Sequence, residues 1–242
     1  MPRLPIAIAS AMHQELRALL PLLQNRRSVR LAGRDFHQGT IHGQPVVLAL
    51  SGIGKVAAAA TATLLLDRFA ASELLFTGVA SELHADVAVG DVVVARSLLQ
   101  HDMDASPLFA RYEVPLTGRS RFDADAERAA ALAQAARRCL AGHCRVHEGL
   151  IVSGDRFVSS VRESAALRSA LPDALAVEME GAAVAQVCND FGRPFAVLRS
   201  ISDRADDAAH VDFTQFVAEV ASVYTRTIVD DWLAARPGRI DR

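Results

Sequence analysis

Lysine is almost missing from this chain of 242 residues, since Lys55 stands alone among 26 basic side chains and the others are arginine. A single lysine leaves little room for Schiff-base chemistry. The formal net charge is only −2, so no excess of positive charge attracts the chain to a polyanion. We therefore expect neither nucleic acid nor a membrane surface as a partner.

Cysteine is also scarce. Cys139, Cys144 and Cys188 have neither metal-site spacing nor an even number for disulfide pairing, which favours reduced thiols and a cytoplasmic location. The run His101-Asp102-Met103-Asp104 suggests a metal, but one histidine with two aspartates and no second histidine cluster is weak support. We interpret these aspartates as solvated or interface carboxylates, and we predict no metal and no cofactor.

Long apolar runs and linkers are missing as well. No hydrophobic run reaches the length of a membrane span. The segment 4–12 has the length of a signal-peptide core, but it leads straight into an amphipathic helix, which favours a first buried strand. Hydrophobic residues make up 51% of the chain, and no linker or repeat interrupts it. One domain over residues 1–242 is predicted.

The most informative stretch runs from residue 174 to residue 203. An apolar strand pattern ends at Glu178 and Glu180, a helical pattern follows, and a second strand pattern ends in Arg199 and Asp203. Ligands of α/β sheets bind beyond the carboxyl ends of the strands, so these carboxylates and the guanidinium are expected to share one crevice. A capped helix and a strand-end salt bridge explain any single carboxylate better, but they do not explain the whole set.

The periodicity along the chain predicts about eight strands and six helices. A hairpin over residues 35–51 makes the sheet mixed, and Asp123 is expected to cap a helix that ends at Ala141. Residues 100–122 show neither period, which is typical of a functional or interface loop. A final amphipathic helix is predicted over 213–233. The predicted fold is α/β, a single three-layer domain with a mixed, mostly parallel sheet and helices on both faces.

The glycine-rich turn Gly52-Ile53-Gly54-Lys55-Val56-Ala57 matches the dinucleotide pattern G-x-G-x-x-A. That pattern also needs an acidic residue at the end of the next strand, and Glu73 stands at the beginning of its strand instead. A phosphate-binding P-loop is excluded because Lys55 lacks the preceding spacing and a following Ser or Thr. A tight strand–helix turn explains both glycines without NAD.

Several segments together resemble a known family. They are IAIASAMHQEL, LSGIGKVAAAATATLLL, VGDVVVA, GLIVSGDRFV, AVEMEGAAVAQVC and LRSISDRAD. The chain is similar, from Ile6 to about Trp232, to the 5′-methylthioadenosine/S-adenosylhomocysteine nucleosidases, which are hydrolytic members of the nucleoside phosphorylase superfamily. The resemblance implies the nucleoside phosphorylase-like fold, hydrolysis of an N-glycosidic bond with release of adenine, and a homodimer acting in methionine salvage.

The resemblance implies catalytic roles for three carboxylates. Glu15 would orient and deprotonate the attacking water, and Glu180 would accept hydrogen bonds from the ribose hydroxyls with help from the Met179 backbone. Asp203 would protonate N7 of the leaving adenine, which is a poor leaving group until protonated. We therefore expect Asp203 to be desolvated, with a raised pKa. Glu178 and Glu180 are expected to be held ionised by the start of a helix.

Other residues would bind the base and the tail. By the same resemblance, Phe157 would stack on the purine, the Val158 backbone would read the adenine edge, and Ile53, Met179 and Phe213 would line the pocket for the alkylthio tail. The predicted substrate-binding set is completed by Val79, Glu178, Arg199 and Ser202. For Arg199 two interpretations stay open, because it would either help to position the water or neutralise the carboxylates.

The chain departs from the family after the fourth predicted strand. Family members carry Gly-Ser-Ala-Gly-Gly in a tight loop, where this chain has Gly78-Val79-Ala80-Ser81-Glu82. Losing the hydroxyl at Val79 costs about 1 kcal/mol, but Glu82 adds a charge. Two alternatives therefore remain: a purine nucleosidase with a different 5′ tail, futalosine-type or 5′-deoxyadenosine, and a catalytically impaired nucleoside-binding module. Glu15 would occupy the place of phosphate, so water is the expected nucleophile.

Overall fold

The chain folds around a ten-stranded sheet, seen in a computed structural model that describes residues 3–206, 216 and 220–236. The strands are β1 (Ile6–Ser10), β2 (Gln24–Leu31), β3 (Arg34–Ile41), β4 (Gln44–Leu50), β5 (Glu73–Glu82), β6 (Val92–Gln100), β7 (Arg121–Asp123), β8 (Val146–Ser153), β9 (Ala174–Glu178) and β10 (Phe195–Asp203). The α-helices within the described ranges are α1 (His13–Leu19), α2 (Lys55–Asp67), α3 (Ala126–Cys139), α4 (Val161–Ala170), α5 (Gly181–Asp190) and α6 (Ser222–Ala234).

Five of the strands close into a ring. β5 pairs with β10, β10 with β6, β6 with β8, β8 with β9, and β9 returns to β5. From β5 the sheet continues as an open sheet through β1, β4, β3 and β2. The longest ladders, β5–β10 and β6–β8, are parallel, whereas the β2–β3–β4 hairpins are antiparallel. The predicted mixed, mostly parallel sheet is confirmed, and the ring is a feature that the strand patterns did not indicate.

Helices cover both faces of the sheet, which confirms the three layers. On one face α2 and α5 pack against each other, and their residues Leu65 and Val184 belong to the same core as Phe76 of β5. On the other face α6 packs on α1 and α3, and Ile228 and Leu19 share a second core with the first strand. The sheet is therefore buried on both sides, and ligand access is left to its ends.

Two strands, β2 and β7, differ from the prediction. The residues of β2 are exposed almost throughout, so no buried face marks them in the sequence, yet they pair with β3 at the sheet edge. The strand β7 contains Asp123, the residue predicted to cap a helix, because Phe122 is buried and pulls this segment onto β6. The cap is Asp125 instead, whose side chain accepts a hydrogen bond from the Arg128 N–H at 3.0 Å.

The strand β5 is longer than predicted, and this length builds the site. β5 runs on through Gly78–Glu82, so the segment expected to form a tight loop is an extended strand paired with both β10 and β9. β10 continues to Asp203, where the sequence pattern placed its end. The start of the predicted last helix lies outside the described residues, and so does Phe213. Within the described ranges, none of the helices has the length and hydropathy of a membrane span.

Candidate active site

A cavity of about 480 Å³ opens where β1, β4, β8 and β9 end, beside the C-terminal halves of β5 and β10. Ten of the twelve predicted site residues line it: Ile53, Val79, Phe157, Val158, Glu178, Met179, Glu180, Arg199, Ser202 and Asp203. Glu15 does not line the cavity but lies close enough to Arg199 and Glu180 for their charges to interact. The strand-end rule therefore located the crevice correctly.

Glu178, at the end of β9, is surrounded by hydrogen-bond donors. Its Oε2 accepts from Arg199 Nη2 at 2.6 Å and from the Glu180 N–H at 3.1 Å, and the Gly181 N–H lies 2.8 Å away. Its Oε1 accepts a short bond from the Ser153 hydroxyl. A carboxylate with this many donors has little accepting capacity left for a ligand. The geometry therefore makes Glu178 a residue that holds its neighbours in place.

Arg199 is completely buried beneath the cavity. Its guanidinium donates to Glu178, lies with its carbon 4.4 Å from the centre of the Phe76 ring, and donates to the Leu198 carbonyl at 3.2 Å. Gly78 faces it in the β5–β10 register, and a Cβ there would lie 2.8 Å from Arg199 Nη1. This packing supports the interpretation that Arg199 neutralises carboxylates, because its donors are engaged by the protein.

The environment of Glu180 differs from the expectation. Burial, followed by the charge of Glu178, raises the pKa of Glu180 to about 7. The helix N-terminus that was expected to keep it ionised donates instead to Glu178 and, through the Ala182 N–H, to the Ser153 hydroxyl. Glu180 instead accepts a hydrogen bond at its Oε1 from the Gly54 N–H, at 2.8 Å.

Asp203 is fully buried at the end of β10. Its Oδ2 accepts from the Ser202 hydroxyl at 2.8 Å and its Oδ1 from the Ala205 N–H at 2.9 Å. Burial raises its pKa, although these bonds and one from the Ser81 side chain oppose the shift. The direction is the one a general acid needs near neutral pH.

Glu15 is completely buried in α1, the helix that follows β1. Burial raises its pKa to about 7, against the opposing effects of the Arg199 charge and the Met12 backbone. Within the described ranges neither of its oxygens has a well-formed hydrogen bond. A buried carboxylate of this kind is suited to accept a proton from a bound water.

Some residues of the wall were missed by the sequence analysis. They are Ala11, Met12, Gly78, Ala80, Ser81, Arg156 and Val177. Gly78 could have been found, since a glycine inside a strand pattern signals a close approach of another group. Ser81 was noted only as a departure from the family, but the strand register places it opposite Asp203. The turn residues Ala11 and Met12 carry no signal in their side-chain type.

The run 101–104 also differs from the prediction. Asp102 is neither simply solvated nor free for an interface, because its Oδ1 accepts from Lys55 Nζ at 2.6 Å. Asp104 is exposed, as predicted, and accepts a hydrogen bond from the Ser106 N–H at 3.0 Å. The metal interpretation therefore has no support from Asp102, whose charge is already compensated.

The raised pKa of Glu15 predicts a pH-dependent stability. Its carboxyl has a pKa of 4.5 in the unfolded chain and about 7 in the folded chain. Below pH 4.5 the carboxyl is protonated in both states, so its burial does not lower the free energy of unfolding. As the pH rises to 7, the unfolded state is increasingly ionised and the free energy of unfolding falls. Relative to the wild type, Glu15→Gln should gain up to about 3 kcal/mol of unfolding free energy between pH 4.5 and pH 8, since one pKa unit is about 1.4 kcal/mol. Urea unfolding at both pH values measures this. The exposed Glu127→Gln is the control, and an equal gain there would contradict the prediction.

Comparison with known proteins identifies relatives over the whole described domain. The family model of the phosphorylase superfamily matches residues 5–234. The 5′-methylthioadenosine/S-adenosylhomocysteine nucleosidase of Neisseria meningitidis, solved with methylthio-immucillin-A, is 36% identical. That superposition covers 97% of this chain and 100% of the other, with a TM-score of 0.91.

Two further solved structures are similar. The S-adenosylhomocysteine nucleosidase of Streptococcus pyogenes, in complex with 5-methylthiotubericidin, is 33% identical, with coverage of 98% and 99% and a TM-score of 0.91. Futalosine hydrolase of Helicobacter pylori is 35% identical, with coverage of 94% and 97% and a TM-score of 0.85. Both relatives share the architecture described above.

Proposed function

The chain belongs to the phosphorylase superfamily and, within it, to the 5′-methylthioadenosine/S-adenosylhomocysteine nucleosidases, and on that premise we propose that it hydrolyses the N-glycosidic bond of such nucleosides. The products are adenine and the thioribose. The observation that carries the proposal is a set of three buried carboxyl groups with raised pKa: Glu180 and Asp203 line one cavity, and Glu15 lies close enough to Glu180 for their charges to interact.

On the base side, Asp203 acts as the general acid. Burial raises its pKa and so favours the protonated carboxyl, whose proton goes to N7 as the bond to the sugar breaks. Protonation converts adenine from an anionic to a neutral leaving group. Phe157, which is half-exposed at the cavity wall, stacks on the purine, and the backbone of buried Val158 reads its edge.

On the sugar side, carboxylates act on an oxocarbenium-like transition state. Glu180 accepts hydrogen bonds from the 2′- and 3′-hydroxyls, next to the Met179 backbone, and its negative charge stabilises the developing positive charge. Glu15 takes a proton from the attacking water. Glu178 and Arg199 form a buried ion pair that positions the end of β9, and the positive charge of Arg199 offsets the negative charge of the carboxylates in the site.

The 5′ tail decides between substrates. Ile53 and Met179 belong to the cavity wall and are proposed to line the tail pocket, together with Phe213, which lies outside the described residues. A futalosine-type nucleoside is the second candidate, because futalosine hydrolase of Helicobacter pylori is 35% identical over 94% of this chain. Comparing kcat/KM for methylthioadenosine, S-adenosylhomocysteine, 5′-deoxyadenosine and futalosine separates these candidates.

We expect adenine to be released from methylthioadenosine at a rate that phosphate does not change. A buried, fully enclosed Glu15 at the reacting end would repel a phosphate nucleophile, whereas it can accept a proton from water. The measurement is adenine release in phosphate and in phosphate-free buffer, with the sugar product identified by mass. A sugar 1-phosphate would contradict hydrolysis. Tight nucleoside binding without turnover would instead identify a catalytically impaired binding module.

A homodimer is the proposed functional unit. Leu108 and Leu116 in the loop between β6 and β7 are 84% and 92% exposed, and Ile53 at the cavity is 60% exposed. Large apolar side chains that are this exposed mark a surface that a second chain can cover. Tyr112, in the same loop, packs within its own chain. Sedimentation at micromolar concentration should give a dimer that Leu116→Asp weakens, and a fully active monomer would contradict it.

The proposed location is the cytoplasm, with a role in methionine salvage. Cys139, Cys144 and Cys188 are all unpaired thiols. Burial raises the pKa of Cys188 to about 12, so this thiol is unreactive and structural. Free thiols of this kind fit a reducing compartment.

A further inference from the structure

The contact between Gly54 and Glu180 depends on the conformation of the turn after β4. Gly54 has φ +93° and ψ 158°, a region that is essentially reserved for glycine, and it is the residue before α2. In this conformation its N–H points at Glu180 Oε1, 2.8 Å away. A backbone in such a rarely populated conformation persists only when its surroundings hold it.

Three residues beside this turn form a closed ring of hydrogen bonds. The Lys55 N–H donates to Asp155 Oδ1 at 2.7 Å, the Asp155 N–H donates to Asp102 Oδ2 at 2.9 Å, and Lys55 Nζ donates to Asp102 Oδ1 at 2.6 Å. The ring joins the segments that follow β4, β6 and β8. The ring fixes the Gly54–Lys55 peptide, which carries the Lys55 N–H, and so restrains the Gly54 Cα to which the next peptide, the one that carries the Gly54 N–H, is joined.

A second arm runs from the ring to the helix that begins after Glu180. Lys55 Nζ also donates to Gln100 Oε1 at 3.1 Å, and Gln100 Nε2 donates to Gln186 Oε1 of α5 at 2.7 Å. The turn that carries the donor Gly54 and the helix that follows the acceptor Glu180 are therefore both connected to the Lys55 ammonium group. The side chains of Lys55 and Asp102 are 16% and 33% exposed, so their ion pair is less screened than a surface pair.

We propose that Asp102, together with Lys55 and Asp155, is a positioning element of the proposed nucleosidase reaction. These three residues hold the turn so that the Gly54 N–H points at Glu180, and they thereby orient the carboxylate that holds the ribose hydroxyls. This inference rests on the proposed function. Burial by itself would raise the pKa of Asp102, but the Lys55 ammonium and the Asp155 N–H outweigh it and hold that pKa below its usual value. Asp102 is therefore ionised under the conditions of the reaction.

The test uses Asp102→Asn, which keeps the size of the side chain but loses its charge and one acceptor. We expect kcat/KM for methylthioadenosine to fall by roughly 10–100-fold, the range for a lost hydrogen bond to a charged group. Asp104→Asn, two residues away and exposed, is the matched control and should stay within about twofold. Asp102→Glu, which restores the charge, should recover part of the loss.

A double-mutant cycle separates positioning from a general structural role. In a Glu180→Gln background, Asp102→Asn should have little further effect on kcat/KM, because the carboxylate that the ring orients is already gone. The same loss in both backgrounds, or a loss under twofold in the wild type, would overturn the proposal. Lys55→Met should behave as Asp102→Asn does in both backgrounds.

A readout without turnover keeps this proposal distinct from the proposed function. With ¹³C-labelled glutamate, the Glu180 carboxyl signal is assigned by its loss in Glu180→Gln and titrated by NMR. The Gly54 N–H lowers the pKa of Glu180, so Asp102→Asn should move its midpoint to higher pH. An unchanged midpoint overturns the positioning role. If the wild type releases no adenine but Asp102→Asn moves the midpoint, the nucleosidase function is wrong, whereas the positioning of Glu180 by Asp102, Lys55 and Asp155 is confirmed.

Discussion

Asp203→Asn should lower kcat on methylthioadenosine by roughly 10²–10⁴-fold, as expected for a lost general acid, while KM changes little. The asparagine keeps the geometry, since its oxygen can still accept from the Ala205 N–H and its amide can donate to the Ser202 hydroxyl. It has no proton to give to N7. Steady-state kinetics measure the effect, with the exposed Asp190→Asn as control.

Glu15→Gln should fail in a different way. It loses the group that deprotonates water, but Asp203 and Glu180 still assist the cleavage to an oxocarbenium-like species. Stable transition-state mimics that carry a proton at the position of N7 should therefore bind Glu15→Gln more tightly than Asp203→Asn. Near-normal turnover by Asp203→Asn on every adenosine-type substrate would mean that the acid is another residue, and the proposed site would have to be redrawn.

Arg199→Met should destabilise the fold by about 3–5 kcal/mol, the cost of leaving a buried charge without its partner. Glu178 would keep its backbone and hydroxyl donors but lose both bonds from the guanidinium. Urea unfolding measures the loss. The surface Arg137→Met, which breaks an exposed pair with Glu148, should cost less than about 1 kcal/mol.

The double variant Arg199→Met with Glu178→Gln tests the reason for that loss. The glutamine can still accept from the Gly181 N–H, and no charge remains unpaired. We expect it to recover part of the stability lost in Arg199→Met. If the double variant were no more stable than Arg199→Met, packing of the arginine against Phe76, rather than the unpaired charge, would be responsible.

The sequence by itself was sufficient for the fold class and for the place of the site. The buried runs and helical periods follow from which side of each element faces the core, and that information is local. Glu178 and Arg199 could be placed together by the rule that ligands bind beyond the carboxyl ends of strands. They do meet, although β9 pairs antiparallel with β5, β5 is parallel to β10, and Arg199 lies within β10 rather than at its end. The same reasoning missed β2, since an exposed edge strand has no buried face and is stabilised only by the strand beside it.

Only the tertiary structure decided which carboxylate each donor serves. The N–H groups at the start of α5 lie next to both Glu178 and Glu180 in sequence. Because Glu178 packs against Arg199, the Gly181 N–H donates its hydrogen bond to Glu178. The Gly54 N–H that reaches Glu180 comes from 126 residues away. The closed ring of strands depends in the same way on the pairing of β9 with β5, which are distant in the chain. Because burial and such long-range partners set each pKa, the sequence could name the carboxylates that are proposed for catalysis but could not determine which of them remains ionised.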